Sequence, residues 1–240
     1  MSESKRKYSI NEHFFDNIDS EEKAYILGFL YADGYNNTEE GKVKITLSIY
    51  DRDILEKIRD RMDSNVRLAI KTGEKISETE YIGAPTITLC YNSVYLSKRL
   101  AELGMIKTKT FLISLPNFIP NNLMKHFIRG YFDGDGCVTM SRSKIKASMV
   151  SNCGFIGQLY DFLKNIGIHS SKGKDKDTKI NQLYFQGENC RKFLDYLYSD
   201  ATMYLSRKYN RYFRYYYGDG IIEKYKKLSN DELLEKYGYD

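Results

Sequence analysis

Two aspartates have the residue type and the spacing for metal-dependent chemistry. Asp33 and Asp135 each end an apolar segment, residues 24–34 and 127–136, and each is followed by a glycine. Two carboxylates brought together at helix C-termini repel each other and the negative ends of the helix dipoles, and a divalent cation relieves both repulsions. Few oxygen ligands, with room for water and phosphate, suit Mg²⁺ better than zinc. The pair therefore predicts a Mg²⁺ site.

The segments that carry the aspartates are predicted to be helices that pack closely against each other. Each has two small residues four positions apart, Gly28 with Ala32 and Gly130 with Gly134. A glycine inside a helix costs about 1 kcal/mol relative to alanine, so its presence in both segments requires a steric reason. Small residues on one face allow two helix backbones to touch. We expect this contact to bring the two aspartates side by side.

The sequence after each aspartate follows the same order of elements, which predicts a duplicated domain. In the first copy, polar and apolar residues alternate over 42–49, 66–71 and 86–91, as in strands with one exposed face. Helical spacing covers 51–62, where Asp51 is the expected N-cap, and 94–103, which ends near Gly104. In the second copy we expect strands over 137–140, 145–150 and 183–186, and helices over 155–166 and 189–198.

The predicted fold class is therefore α+β, a pseudo-symmetric duplication of an αββαββα unit, with the first hairpin strand of the first copy not assigned. The expected organisation is an N-terminal extension (1–20), a first repeat (21–110), a linker (111–122), a second repeat (123–217) and a tail (218–240). Pro116 and Pro120 favour an extended linker. A short surface helix is expected over 231–237 in the tail.

Residues 26–34 and 128–136 resemble the two motifs of the monomeric LAGLIDADG homing endonucleases, and the resemblance covers roughly residues 20–217. It implies two saddle-shaped antiparallel sheets that straddle duplex DNA, and metal-dependent cleavage of both strands across the minor groove, leaving short 3′ overhangs. The family's metal-binding acids correspond to Asp33 and Asp135, and we include Gly34 and Gly136 in the expected metal site. The expected cofactor is Mg²⁺, with Mn²⁺ as a substitute.

The resemblance also implies a basic residue in each active site, after the last helix of each repeat. In the first copy the candidates are Lys109, which we favour, and Lys107; in the second copy the candidate is Lys208. The separations are similar, 76 residues from Asp33 to Lys109 and 73 from Asp135 to Lys208. A lysine near the scissile phosphate can stabilise developing charge or help to activate water. Ordinary surface charge is the alternative explanation for both lysines.

The exposed faces of the strands are the expected DNA-binding surface, because Arg, Lys and Gln can contact guanine and adenine edges and lysines also neutralise phosphates. Unlike residues in the two copies predict an asymmetric DNA site. The predicted rows are Lys42, Lys44, Thr46, Ser48, Arg67, Lys71, Thr86 and Thr88 in the first copy and Arg142, Lys144, Lys146, Ser148, Gln182, Tyr184 and Gln186 in the second. Ser48 and Ser148 also match, weakly, a strand position that organises active-site water in the family.

A further basic segment lies near the end of the second copy. Arg207, Arg211 and Arg214 fall on one helical face among five tyrosines between positions 209 and 217. This face is a candidate phosphate-contacting surface. Core packing by the tyrosines is the alternative.

Composition excludes several other classes. With 42% hydrophobic and 29% charged residues the chain is globular, and the net charge of +5 permits binding to a polyanion. No run of apolar residues is long enough for a membrane span, and the polar N-terminus is unlike a secretory signal, so we expect a soluble, intracellular protein. The resemblance to the monomeric family implies a monomer. The four cysteines have no zinc-knuckle spacing, and the three histidines do not support an HNH nuclease. Residues 133–136 lack the acid and glycine pattern of a calcium loop.

Three functions are compatible with this scaffold. The first is an active homing endonuclease, intron-encoded or free-standing. The second is a DNA-binding regulator that does not cleave, and the third is an RNA maturase that assists intron splicing, for which an intron RNA is the partner. Because a regulator is free to lose its catalytic acids and lysines, the presence of candidates for all four favours the endonuclease. An intein context is disfavoured by the residues at the two ends of the sequence.

Overall fold

The computed structural model describes residues 8–72, 83–107, 112–141, 144–174 and 180–218. The first repeat consists of α1 (Glu21–Asp33), β1 (Gly34–Asn37), β2 (Lys42–Ser48), α2 (Arg52–Arg61), β3 (Ala69–Lys71), β4 (Thr86–Asn92) and α3 (Val94–Glu102). The second repeat consists of α4 (Asn121–Asp135), β5 (Gly136–Ser141), β6 (Lys144–Asn152), α5 (Cys153–Asn165), β7 (Ser171–Lys174), β8 (Ile180–Gln186) and α6 (Gly187–Tyr198), followed by α7 (Ser206–Tyr217).

The predicted α+β duplication is confirmed. Each repeat contains a four-stranded antiparallel sheet, ordered β1-β2-β4-β3 in the first and β5-β6-β8-β7 in the second. The helices cover one face of each sheet, since alternate strand residues such as Val43, Ile45 and Ile87 are buried in a common core. The opposite residues of the same strands are exposed or half-buried, as period-two alternation requires.

The hairpin strand that the sequence did not reveal is β1. It is only four residues long and contains two asparagines, which disfavour strands. Asn36 is nevertheless buried, because its side-chain amide donates to the carbonyl oxygens of Ser97 (2.9 Å) and Met105 (2.8 Å). Both partners lie more than 60 residues away in the sequence. Their carbonyl oxygens satisfy the buried side-chain amide of an asparagine, a residue type that by itself prefers turns.

Several local expectations need correction. Asp51 precedes α2 but makes no side-chain capping hydrogen bond; its carboxylate pairs with Arg207 instead. The helix α4 begins at Asn121, inside the segment expected to be an extended linker, directly after Pro120. Strand β3 is shorter than expected, so Arg67 precedes it in a loop. The helix expected over 231–237 lies outside the described residues.

The described helices include none that is both long and apolar enough to cross a membrane.

Candidate active site and nucleic-acid interface

The two motif helices, α1 and α4, pack backbone to backbone at their glycines. A Cβ atom on Gly28 would lie 2.0 Å from the carbonyl oxygen of Phe127, and one on Gly130 would lie 2.0 Å from the carbonyl oxygen of Tyr25. Real Cβ atoms do not approach backbone oxygens so closely, so both positions require glycine. The steric reason inferred for the repeated glycines is thus present in the structure as a near-symmetric contact.

Asp33 and Asp135 end the paired helices at the same end of this contact. A Cβ on Gly134 would lie 2.3 Å from the Cβ of Ala32 and 3.1 Å from Oδ2 of Asp33. Because Gly134 immediately precedes Asp135, the Asp33 carboxylate reaches across the helix interface to the chain beside Asp135. Both aspartates are exposed, so the carboxylates are accessible to a ligand. Each helix ends at a glycine, Gly34 or Gly136, whose N–H donates a hydrogen bond to a carbonyl oxygen of the preceding helical turn.

The donor chemistry of this end of the helix pair fits a hard divalent cation. Carboxylate oxygens are the protein ligands that Mg²⁺ prefers, and Mg²⁺ commonly keeps several waters and takes phosphate oxygens. Among the described residues, no group of three or more His, Cys, Asp or Glu side chains is arranged to hold a metal. At this end of the helix pair, the described acids of the two motif helices are the exposed carboxylates of Asp33 and Asp135.

Lys208 lies inside the protein near this site. It is 1% exposed, and its Nζ donates to the carbonyl oxygens of Phe132 (2.6 Å), Asp133 (2.7 Å), Gly134 (3.3 Å) and Gly136. These carbonyls lie at the C-terminus of α4, where the negative end of the helix dipole favours a cation. Burial lowers the pKa of Lys208 to about 8, opposed by the negative charges of Asp133 and Asp33.

Lys208, which we expect near the scissile phosphate, is buried beside the C-terminus of α4. All of its donors point at main-chain oxygens, so its ammonium stabilises the end of α4 that carries Asp135. In the first repeat, the methyl group of Met105 lies against Gly34 instead. Lys107 is exposed, with its Nζ 3.9 Å from the Glu39 carboxylate. Lys109 lies outside the described residues.

Asp133 is the residue that sequence reasoning missed, having considered it only as part of a calcium loop. Its carboxylate is fully buried and accepts hydrogen bonds from the hydroxyls of Tyr25 (2.8 Å) and Tyr198 (2.5 Å) and from the Leu205 N–H (2.8 Å). Burial raises the pKa of Asp133, and these hydrogen bonds and the charge of Lys208 oppose the rise. The position joins α4 to α1, α6 and the start of α7.

The same location in the first repeat is occupied by Tyr31, 102 positions earlier. Its hydroxyl donates to the carbonyl oxygen of Leu103, and Leu103 lies 102 positions before Leu205. In each repeat, the side chain two residues before the motif aspartate therefore binds the segment after the last helix of that repeat. This pairing at equal sequence distance is the signal that could have identified Asp133.

A second buried network links the repeats behind the site. Arg129 is completely buried; its guanidinium donates to the Glu21 carboxylate (2.6 Å) and to the carbonyl oxygens of Leu197 (2.9 Å) and Met203 (2.8 Å). Glu21 also accepts from the Thr202 N–H at 2.8 Å. Arg129 and Glu21 thus fix α1, α4 and the α6–α7 segment relative to one another.

The exposed face of the first sheet carries most of the residues that the sequence predicts for DNA contact in the first repeat. Thr46 and Thr88 face each other across β2 and β4, and their hydroxyls are 2.9 Å apart. Lys44 lies over the ring of Tyr35, and Lys42 forms an ion pair with Glu40 at 2.7 Å. Opposite Ser48 stands Thr86, which also pairs with Lys71 of β3. Arg67 is exposed in the loop before this strand.

The second sheet presents a different set of side chains. Lys146 lies opposite Gln186, and Ser148 lies opposite Tyr184, in the β6–β8 pair. The Tyr184 hydroxyl donates to Gln182, and Lys144 at the start of β6 is exposed. Arg142 lies outside the described residues. The two exposed faces therefore differ in residue type at matching places.

The arginines of α7 make contacts within the protein. Arg207 Nε lies 3.0 Å from Oδ1 of Asp51, and Arg211 donates to the carbonyl oxygen of Val138 at 2.8 Å. Tyr212 is buried in the core. This burial supports the alternative that the tyrosines of this segment serve core packing. The helix α7 thereby ties the second repeat to the first.

Comparisons with known proteins agree with this architecture. Residues 122–198 match the family model described as LAGLIDADG-like domain, and no curated protein matches the sequence. The I-LtrWI LAGLIDADG homing endonuclease bound to target DNA has 10% identity and a TM-score of 0.54, over 83% of this chain and 89% of that chain. The I-SmaMI LAGLIDADG homing endonuclease bound to cleaved DNA has 14% identity and a TM-score of 0.50, over 80% and 86%.

A further similar structure is full-length DUF199/WhiA from Thermatoga maritima, with 18% identity and a TM-score of 0.51, over 90% of this chain and 67% of that chain. The resemblance stated from the two motifs is confirmed by the family match in the second repeat and by the shared fold.

Proposed function

We propose that this chain, whose second repeat is a LAGLIDADG-like domain with the fold of the homing endonucleases, is a site-specific endonuclease that cuts both strands of a long, asymmetric DNA target and leaves short 3′ overhangs. The observation that carries the proposal is that Asp33 and Asp135 end α1 and α4 at the same, exposed end of the helix contact, where Oδ2 of Asp33 lies 3.1 Å from the position of a Cβ on Gly134. Each aspartate immediately precedes the first strand of a sheet whose exposed face carries lysine, threonine and glutamine.

Asp33 and Asp135 are the residues proposed to hold the metal, together with the main-chain oxygen of Gly34. The Gly136 carbonyl oxygen, which we also expected there, accepts a hydrogen bond from the Lys208 ammonium instead. When bound, Mg²⁺ or Mn²⁺ would polarise the phosphodiester and activate water for attack. Both carboxylates are exposed at the end of the helix pair, so a phosphate could approach a cation held there. Close packing at Gly28 and Gly130 fixes the distance between the two acids, because the helix backbones already touch.

The lysines have different proposed roles. Lys208 is a positioning residue, since its ammonium is bonded to the carbonyl oxygens that end α4 and lies close enough to Asp33 to interact with its charge. Lys109 is proposed to stabilise charge on the phosphate. Mutual repulsion of Asp33 and Asp135 is reduced by a buried positive charge beside them.

Duplex DNA is the proposed partner, bound along the exposed faces of the two sheets. Lys44, Lys71, Lys144 and Lys146 supply positive charge, and Gln182 and Gln186 can bond to adenine edges. The two faces carry different side chains, so the two half-sites should differ in sequence. Binding by a monomer follows from the presence of both repeats in one chain.

A second candidate is a DNA-binding regulator that does not cleave. This function is favoured by Lys208, because its ammonium donates hydrogen bonds to main-chain oxygens and is not directed at a phosphate. An RNA maturase on the same scaffold is the third. Retention of both exposed aspartates favours cleavage over these two alternatives.

The test uses the full chain, Mg²⁺ and duplex DNA that spans the uninterrupted insertion site of its own gene, or targets selected from a randomised duplex library. We expect cleavage of both strands, and Asp33→Asn or Asp135→Asn should abolish it while DNA binding survives. Asp161→Asn is the matched control, since Asp161 is an exposed aspartate of α5. Full activity of both site variants would refute the assignment. Binding without cleavage by the wild type would support the regulator, and selective intron RNA binding the maturase.

A further inference from the structure

An exposed tyrosine on the second sheet packs on a glycine of the neighbouring strand. Tyr184 of β8 is 38% exposed and points to the same side of the sheet as Gln182, because the alternate residues Leu183 and Phe185 are buried in the core. A Cβ atom on Gly173 of β7 would lie 2.5 Å from Cε2 of the Tyr184 ring. The ring therefore occupies the space that a side chain at position 173 would take.

The matching positions of the first sheet have neither this tyrosine nor this glycine. The positions are matched through the strand pairings, counted from the motif glycines. Ala69 of β3 then corresponds to Gly173 of β7, and Cys90 of β4 corresponds to Tyr184 of β8. The large ring thus occurs together with glycine, and the small thiol occurs together with alanine. This difference between the repeats indicates that glycine at position 173 makes room for the ring.

The hydroxyl of Tyr184 fixes the side-chain amide of Gln182. The O–H donates to Oε1 of Gln182 at 2.5 Å. This separation suits an O–H···O bond and is shorter than the N–H···O range of about 2.7–3.2 Å, so the amide oxygen, and not the nitrogen, faces the hydroxyl. Nε2 of Gln182 then points away from the hydroxyl. Turning the amide over would break this hydrogen bond.

A glutamine whose amide is fixed discriminates between bases differently from one that is free to turn. A free glutamine binds adenine through two bonds, in which its oxygen accepts from N6 and its nitrogen donates to N7. The oxygen of Gln182 is held by Tyr184, so the group directed at a base edge is the donor at Nε2. Guanine presents two acceptors in the major groove, O6 and N7, whereas adenine places a donor beside its acceptor. A fixed donor therefore favours guanine.

We infer that Tyr184, packed on Gly173, is a positioning residue for Gln182, and that this arrangement selects guanine at one base pair of the half-site bound by the second repeat. The inference rests on the proposed function, from which it takes the DNA-binding face, and it narrows the contact of Gln182 from adenine to guanine. The matching place in the first sheet holds Thr88, whose hydroxyl lies 2.9 Å from that of Thr46. The selection therefore belongs to one half-site.

The experiment selects binding sites for the full chain from a randomised duplex library, in buffer with a metal chelator so that cleavage does not deplete the bound DNA. Gln182→Ala identifies the base pair, because the preference at that pair should disappear. At this pair the wild type should favour guanine over adenine by about tenfold. Gln182→Glu replaces the donor by an acceptor and should move the preference to cytosine, whose N4 amino group is a donor.

Two further variants test the role of Tyr184. Tyr184→Phe keeps the ring and removes the hydroxyl, so the amide can turn and adenine should bind within about threefold of guanine. Gly173→Ala, whose Cβ would push the ring aside, should have the same effect. The matched controls are two α5 variants on the other side of the sheet, Tyr160→Phe and Gly157→Ala, and neither should change the preference. Circular dichroism melting would show that each protein is folded.

The outcomes separate this inference from the proposed function. If the wild type binds the selected DNA but cuts none, the endonuclease proposal fails while the base preferences still decide the role of Tyr184. Loss of the guanine preference in Tyr184→Phe, with both controls unchanged, would support the inference. Adenine favoured over guanine at the identified pair would overturn it, as would an unchanged preference in Tyr184→Phe. A wild type that selects no duplex sequence, or a Gln182→Ala variant with an unaltered profile, would overturn it as well.

Discussion

Gly28 of α1 packs so closely on the main chain of Phe127 in α4 that a Cβ at Gly28 would lie 2.0 Å from the Phe127 carbonyl oxygen. Gly130 has the same relationship to Tyr25. The contact determines how far apart the two helices lie, and both helices end in the proposed metal ligands. The packing of α1 on α4 therefore also sets the separation of the two proposed metal ligands.

Replacing either interface glycine should separate the helices. Gly28→Ala or Gly130→Ala is expected to lower the free energy of unfolding by about 1–3 kcal/mol, as overpacking does, and to reduce cleavage more than DNA binding. The control is Gly157→Ala, because Gly157 lies in α5 and a Cβ there has no neighbour within 4 Å. It should be neutral or stabilise by about 0.4–1 kcal/mol. Urea denaturation measures all three; equal stability of the interface and control variants would disprove the packing argument.

The hydrogen bonds to Asp133 should contribute to the stability of the whole α4 end. In Asp133→Asn, an amide group faces the Leu205 N–H or a tyrosine hydroxyl, so a buried donor loses its acceptor, at a cost of about 1–3 kcal/mol. Thermal melting monitored by circular dichroism measures the loss. The exposed Asp161→Asn is the control, and a melting temperature for Asp133→Asn equal to the control's would contradict the assigned network.

Lys208 should leave a pH-dependent signature on stability. The pKa of Lys208 is about 8 in the folded protein, against 10.5 for an ordinary lysine, so between these pH values the unfolded chain holds the proton while the folded chain releases it. The unfolded state then binds more protons, and stability contributed by this group rises with pH across that window. The difference in unfolding free energy between wild type and Lys208→Met should therefore grow in favour of the wild type from pH 8 to 10. A pH-independent difference would show that the lysine is solvated.

How far the sequence predicted this structure depends on the range of the interactions. The helix pair was predictable because Gly28 and Gly130 repeat a local pattern, and the strands were predictable where one face is buried. The Arg129 network was not predictable, because its partners lie more than 60 residues away. Asp133 was missed because its counterpart in the first repeat, Tyr31, is a different residue type, so that only the shared spacing of 102 positions links the two. The sequence predicts Asp51 as the N-cap of α2, but its carboxylate accepts a hydrogen bond from Arg207, which lies 156 residues later.

The same reasoning bears on which residues contact phosphates. Because Arg207 is paired with Asp51, Arg207→Ala should leave the salt dependence of DNA binding nearly unchanged. Lys146 is exposed on β6, and Lys146→Ala should reduce the slope of log K against log salt by about 1. Fluorescence anisotropy at several salt concentrations measures both. A reduced slope for Arg207→Ala would reinstate α7 as a phosphate-contacting surface.

The central claim is that Asp33 and Asp135 act together at one metal-dependent site. The most direct test compares Mg²⁺-dependent cleavage of the target by Asp33→Asn, Asp135→Asn and the double variant, each retaining DNA binding. Residues that act as a unit are non-additive, so each single loss of rate should be about as large as the double loss. A loss of rate in the double variant equal to the product of the two single losses would contradict the claim. Single variants that cut at the wild-type rate would contradict it as well.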